Sequence, residues 1–219
     1  MRFKERFPGI FSLNGKLATR ALARGSLFGE AVKKEGGVEY RLWDPKRSKL
    51  AAAIVKGLRN CPIAPGARVL YLGAANGYTA SFASDVVGVG GALYCVEKSA
   101  RAMRDLIFVC EKRENMYPIL ADARLPEEYV DAVPRGVDVL YEDVAAPDQT
   151  QILLRNAAVF KPKWVMYAVK ARSINSLKPP KQVYAEQREA LKQWVEVTDF
   201  VVLDPFEADH CFIAGKYQG

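Results

Sequence analysis

The stretch that most limits how this chain can fold is Arg68 to Thr79, RVLYLGAANGYT. Val69 to Leu72 reads as a short buried strand, a Gly-Ala-Ala-Asn-Gly turn follows, and helical spacing begins near Thr79. Gly73 and Gly77 can take backbone angles closed to other residues and let a ligand lie against the main chain. A helix after such a turn points unpaired N–H groups and its positive dipole end at the same place. In an open α/β sheet, nucleotide-like cofactors bind at the carboxyl ends of the strands. Taken alone, the turn equally suits an ordinary strand-to-helix connection.

The flanking sequence carries the same alternation forward. Strands are predicted at Ala92 to Val96, Met116 to Leu120, Val137 to Tyr141 and Trp164 to Val169. Helices fall at Ala80 to Val87, Ala100 to Lys112, Asp148 to Phe160 and Pro180 to Leu191. On the helix after Ala100, Met103, Leu106, Ile107 and Cys110 share the apolar face. Val195 to Leu203 and His210 to Lys216 read as a closing antiparallel pair. This order predicts a mostly parallel sheet with helices on both faces. Before it, residues 1–46 carry short apolar runs and turn signals, with Asn14-Gly15 a strong hairpin cue. They are expected to form a small antiparallel β domain packed on a larger one spanning 47–219. Asp44 or Ser48 can cap a helix from Lys49 to Leu58.

Polar residues end strand after strand: Gly73, Glu97, Asp122, Asp143 and Lys170. A single acid after a strand is commonplace, but a whole series at the same edge is harder to dismiss. The distance from Gly73 to Glu97 suits a carboxylate that binds both hydroxyls of a ribose. A nicotinamide dehydrogenase shares that spacing, but the loop is not GxGxxG. The pattern better suits S-adenosyl-L-methionine, with Asp122 reaching the adenine amine and Asp143 near the methionine end.

Charge and composition narrow the partners. The net charge of +7 is segregated: residues 1–60 hold 14 Lys and Arg against 5 Asp and Glu, and the remainder 18 against 20. Lys161 to Lys181 adds six basic residues without an acid. Segregated positive charge favours a polyanion such as nucleic acid; its plain alternative is a solvated basic face. No run approaches the roughly 18–20 apolar residues of a membrane span. The first residues do not read as a secretory signal, so a cytoplasmic location is expected. The four cysteines form no CxxC pair and there is one histidine, so no structural metal or disulfide framework is expected.

Several tracts in order, FPGIF, EYRLWDPKRSKLAAAI, VLYLGAANGYTAS, ADAR, DVLYEDVAAPDQ, VKARSI and LDPFEADH, resemble fibrillarin, the family of guide-RNA-dependent ribose 2′-O-methyltransferases, in its short archaeal form. The resemblance covers nearly the whole chain. It implies a Rossmann-like S-adenosylmethionine-dependent methyltransferase fold, with a mostly parallel seven-stranded sheet and an antiparallel closing strand. It further implies a cofactor site at Gly73, Ala74, Tyr78, Thr79, Glu97, Lys98, Asp122, Ala123 and Asp143, continued through Val144, Ala145 and Ala146. A catalytic set falls on Lys49, Asp143, Lys170 and His210. The implied partners are a box C/D guide RNA with substrate rRNA or tRNA, a Nop-domain scaffold of the Nop56/58 kind, and a kink-turn-binding subunit resembling a ribosomal protein. The sequence departs from the family pattern at Asn76, Tyr78, Lys98 and Ala146; Tyr78, where a smaller residue is usual, is placed to stack on or crowd the cofactor.

A ribose 2′-hydroxyl is a poor nucleophile at neutral pH and needs a group that handles its proton. A lysine partly buried beside another cation can do so, and Lys170 is the candidate, with Asp143 orienting it and Lys49 and His210 flanking. Read without the resemblance, Lys49 is a helix-surface charge and His210 a turn residue. Rival functions are a guide-independent RNA or protein methyltransferase and a non-catalytic scaffold on the same fold.

Overall fold

The computed structural model describes residues 3–219. Two sheets form, and the larger one holds the expected alternation. Strands β1 (Lys4–Phe7), β2 (Ile10–Leu13), β3 (Lys16–Arg20), β4 (Val32–Glu35) and β5 (Val38–Trp43) pair antiparallel in the order β1-β2-β3-β5-β4. The Asn14-Gly15 turn joins β2 to β3 with both residues at positive φ, as a tight hairpin requires. Helix α1 (Lys49–Val55) follows; Ser48 caps it by accepting from the Ala51 N–H, so Ser48 and not Asp44 takes that role. The helix stops short of Leu58, just before Gly57 at φ +105°.

The second sheet is built from β6 (Arg68–Leu72), β7 (Ala92–Glu97), β8 (Met116–Leu120), β9 (Val139–Glu142), β10 (Trp164–Lys170), β11 (Val195–Val202) and β12 (His210–Tyr217). Its order is β11-β12-β10-β9-β6-β7-β8, with β10 through β8 parallel and β12 antiparallel to both its neighbours. Helices α2 (Tyr78–Val87), α3 (Ala100–Cys110), α4 (Gln149–Phe160), α5 (Ala171–Ile174) and α6 (Pro180–Leu191) connect the strands. The chain runs from β6 outward to β8 and then returns to β9 on the other side of β6. The carboxyl ends of β6 and β9 therefore flank the switch point where such sheets open a crevice. Strand β9 starts at Val139 rather than Val137; the Asp138 carboxylate before it accepts from the Arg68 N–H and from Lys163 Nζ. On α3 the buried face is Met103, Leu106 and Val109; Ile107 is exposed, contrary to its expected place in the core.

The small sheet does not have a core of its own on its inner face. Ile10, Leu17 and Trp43 bury into the same cluster as α1, α2 and the near face of the large sheet. Charges cross this seam as well. Arg41 on β5 is fully buried and bonds Glu30 at 2.6 Å and Asp85 on α2 at 2.8 Å. Arg113 meets the other Asp85 oxygen at 2.7 Å, and the Thr19 hydroxyl donates to Asp85 as well. Breaking one member of such a buried ion network leaves an uncompensated charge and costs several kcal/mol, on the order of 3–5. The network therefore fixes how the two sheets sit together. Among the described residues no helix is long and apolar enough to cross a membrane.

Candidate active site

The carboxyl edge of the large sheet carries a cavity of about 230 Å³. Its lining includes Gly73, Glu97, Lys98, Asp122, Asp143 and Lys170, so every strand end singled out in the sequence reaches it. Ala123, Val144 and Ala145 supply apolar wall, and Ala75 completes the turn.

Two of the carboxylates, Glu97 and Asp122, are held in place by main-chain N–H groups. Glu97 accepts from the Ala75 N–H at 2.9 Å through one oxygen and from the Ser99 N–H at 2.8 Å through the other. This fixes the carboxylate across the mouth of the Gly-rich turn while leaving lone pairs for a diol. Asp122 accepts from the Arg124 N–H at 3.0 Å, and Lys98 Nζ stands 4.0 Å from its other oxygen. Arg124 in turn clamps Asp148 at the start of α4, holding that carboxyl below the usual range.

Gly73 has φ +77°, and a Cβ there would stand 2.9 Å from the Asp143 carbonyl oxygen. The close approach that the glycine permits is therefore that of the β9 loop's own backbone, not a ligand. Gly77, at φ +87°, similarly admits Leu106 of α3. At the first turn of α2 the Tyr78 N–H is taken by the Asn76 side chain at 3.2 Å, so that donor is not aimed at the cavity.

Four residues of the expected cofactor set stand elsewhere. The Tyr78 ring packs against Phe28 and Phe82, with the Arg47 guanidinium 4.0 Å above it. It lies on the small-sheet side of α2 and neither stacks on nor crowds the cavity. The Thr79 hydroxyl pairs with the Ser48 hydroxyl at 3.1 Å inside the wall between α1 and α2. Ala146 is buried against α4, and Ala74 beneath the turn.

The four residues of the expected catalytic set converge unevenly. Asp143 Oδ1 lies 2.9 Å from Lys170 Nζ and 3.3 Å from Lys49 Nζ, all three side chains being largely buried. Lys170 also donates to the Asp143 carbonyl at 2.8 Å. His210 faces Lys170 across the β10–β12 ladder, its Nδ1 2.6 Å from the Ala208 carbonyl. Lys49, at the first turn of α1, and His210, at the start of β12, thus come from opposite ends of the sequence to flank one strand end.

Two further residues were not singled out from the sequence. Gln149 accepts from the Lys170 N–H at 3.0 Å and donates to the Val144 and Ala168 carbonyls, tying the β9 loop to β10. Glu142 is fully buried with neither carboxylate oxygen hydrogen-bonded among the described residues. Burial, reinforced by the neighbouring Asp143 charge, pushes its carboxyl well above the ordinary range against the pull of Lys170. Both lie inside the DVLYEDVAAPDQ tract, which was the available signal.

A family model for fibrillarin matches residues 1–219. The chain belongs to the fibrillarin family. The fibrillarin-like rRNA/tRNA 2′-O-methyltransferase of Pyrococcus abyssi is 47% identical over 97% of this chain and 97% of that one. The crystal structure of Aeropyrum pernix fibrillarin with natively bound S-adenosyl-L-methionine superimposes with a TM-score of 0.88 at 42% identity, covering 98% of both chains. A fibrillarin in complex with Nop5p does so at 0.88 and 37%, over 98% of this chain and all of that one. Fibrillarin membership accounts for the Rossmann-like methyltransferase fold found here.

The fibrillarin cavity fits S-adenosyl-L-methionine on its own chemistry. Carboxylates at the ends of β7, β8 and β9 can take a ribose diol, an exocyclic amine and a cationic methionine end, and the alanine and valine walls suit an adenine face.

Proposed function

We propose that this fibrillarin-family chain is an S-adenosyl-L-methionine-dependent 2′-O-methyltransferase of rRNA and tRNA, acting where a box C/D guide RNA pairs with the substrate. The observation that carries the reading is the Lys49–Asp143–Lys170 cluster, of which Asp143 and Lys170 line the strand-edge cavity and Lys49 pairs with Asp143. When bound, the cofactor supplies a methyl group on a sulfonium, an electrophile ready for in-line attack by an oxygen.

The residues of the chain do the rest. Glu97 is oriented to hold the ribose of the cofactor and Asp122 its base, with Lys98 beside them. As a neutral amine Lys170 would keep two N–H donors on the Asp143 carboxylate and carbonyl and a lone pair for the acceptor hydroxyl. Its nitrogen would take the 2′-hydroxyl proton as the oxygen attacks the methyl, and Asp143 then pairs with the ammonium that forms. The Asp143 carboxylate offsets both lysine charges and keeps the two amines from separating. Lys49 and His210 bracket the acceptor from either side. Alignment of hydroxyl, methyl and sulfonium supplies much of the rate, since well-oriented reactants gain up to about 7–11 kcal/mol.

A catalytic chain of this size without a base-reading module fits a particle in which pairing to a guide selects the nucleotide. The basic N-terminal third supports RNA backbone contact. The complex of a related fibrillarin with Nop5p supports a Nop-domain scaffold, and the reading includes a kink-turn-binding subunit and a cytoplasmic site of action.

The test is Lys170→Ala in a reconstituted guide particle. Methyl transfer is expected to fall by roughly 10²–10⁴-fold, with S-adenosyl-L-methionine affinity by calorimetry within a few-fold of the parent. Full activity in that variant rejects the assignment, and methylation of bare RNA without a guide favours the guide-independent reading.

A further inference from the structure

Strand β10 runs past the end of its neighbour. Its pairing with β9 stops where Tyr167 faces Glu142, and beyond Glu142 the chain turns off to carry Asp143 and Val144 to the cavity wall. On its other side β10 stays paired with β12 as far as Lys170, which faces His210. Ala168, Val169 and Lys170 thus turn an edge without a β9 partner toward the gap between the diverging strands.

Buried main-chain groups need partners, and the Gln149 side chain supplies them. Its Oε1 accepts from the Lys170 N–H at 3.0 Å, and its Nε2 donates to the Ala168 carbonyl at 3.3 Å. In a parallel ladder, one residue bonds the carbonyl before and the N–H after the residue it faces. The carboxamide reproduces that pair of bonds around Val169, in place of a further β9 residue. Its remaining N–H crosses the gap to the Val144 carbonyl. A primary amide has two N–H donors and one carbonyl, and all are engaged here. Gln149 is fully buried and is not among the residues that line the cavity, so its contacts go to the main chain on either side of the gap.

We propose that Gln149 is a positioning residue for methyl transfer: its carboxamide sets the distance between the Asp143–Val144 wall, which holds the methyl donor, and Lys170, which faces the acceptor hydroxyl. The inference rests on the ribose-methyltransferase reading above. Only a glutamine-length amide fulfils this role. Glutamate loses both donors and sets a carboxylate against two carbonyls. Methionine fills the space and leaves the Lys170 N–H and two carbonyls unpaired. Either change frees the two walls of the gap to move relative to each other.

The experiment compares Gln149→Glu and Gln149→Met with the parent in the assembled guide particle. Turnover is counted per cofactor-binding site below the melting range, so a loss of folded protein does not register as a loss of rate. In both variants kcat is expected to fall roughly tenfold to hundredfold, the scale of a misplacement of about 1 Å, with cofactor Kd and substrate-RNA KM within a few-fold of the parent. A merely structural role moves Tm, Kd and KM and leaves kcat per site at the parental value; that result overturns the proposal. The parent chain supplies a second measurement that needs no variant. Its Lys170 amide hydrogen is expected to exchange slowly with solvent, because Gln149 holds it. Fast exchange there overturns the bridge even where neither variant folds. Ribose methylation by the parent particle is followed in the same reactions. Methylation with parental kcat in the variants rejects the positioning role alone, whereas absence of ribose methylation by the parent rejects the underlying reading.

Discussion

The Asp143 carbonyl oxygen stands 2.9 Å from the point where Gly73 would carry a Cβ. Two strand ends thereby share one turn's worth of space, and the residue that pairs with both lysines is seated by a glycine 70 positions earlier.

Gly73→Ala tests that relation. Its φ of +77° is strained for alanine, and the new methyl meets the main chain of Asp143 and Val144, which cannot swing away as a side chain can. The variant is expected to lose about 1–3 kcal/mol of stability and, because Asp143 is displaced, to lose methyl transfer more than the stability change alone explains. Thermal unfolding and single-turnover assays below the melting range check both.

The seam between the sheets predicts an acid transition. Burial alone pushes the Glu30 carboxyl up, but the Leu27 and Phe28 N–H groups and the Arg41 guanidinium outweigh it and hold it at about 2, against an ordinary 4.5. A lowered folded-state value contributes stability that is present above the unfolded value and lost as pH falls through the folded one. Roughly 3 kcal/mol is therefore expected to vanish between about pH 5 and pH 2. Glu30→Gln should be less stable at pH 7 and show a flatter pH dependence across that window in denaturant titrations.

Glu142 has the opposite sign. Its folded-state value is raised, so its neutral form costs nothing extra below the unfolded value but opposes folding increasingly as pH rises above it. Glu142→Gln keeps the shape and removes the titration. The variant is expected to melt higher than the parent at pH 7–8, with the difference shrinking toward pH 4. A lower melting temperature at pH 8 would show that the carboxylate is compensated by a partner.

The parallel order and the strand-end residues were legible because each depends on local rules. Apolar runs of about three to six residues ended at or just before Gly73, Glu97, Asp122, Asp143 and Lys170, and a parallel sheet brings such ends to one edge. Tyr78 was not legible. Its place in sequence lies next to the Gly-rich turn, yet its ring partner Phe28 comes from 50 residues earlier, in a loop of the small sheet. Ile107 failed for a related reason: helical spacing allowed it beside Leu106, and only the direction in which α3 meets the sheet turns Val109 inward instead. Gln149 sits at the start of α4, where a polar residue is ordinary, and its ties to β10 arise only when β9 and β10 are neighbours. The Asp85 network needed three separate segments to be adjacent and left no periodic trace.

Strand β12 lies between β10 and β11, although it is made after both. On a ribosome, β11 emerges with no edge to join, since the strand that separates it from β10 has not yet been synthesised. The same late strand begins with His210, opposite Lys170. Closure of the sheet and completion of the proposed catalytic set are thus one event in time, and a nascent chain that has its Gly-rich turn and all three cavity carboxylates is still not an assembled enzyme.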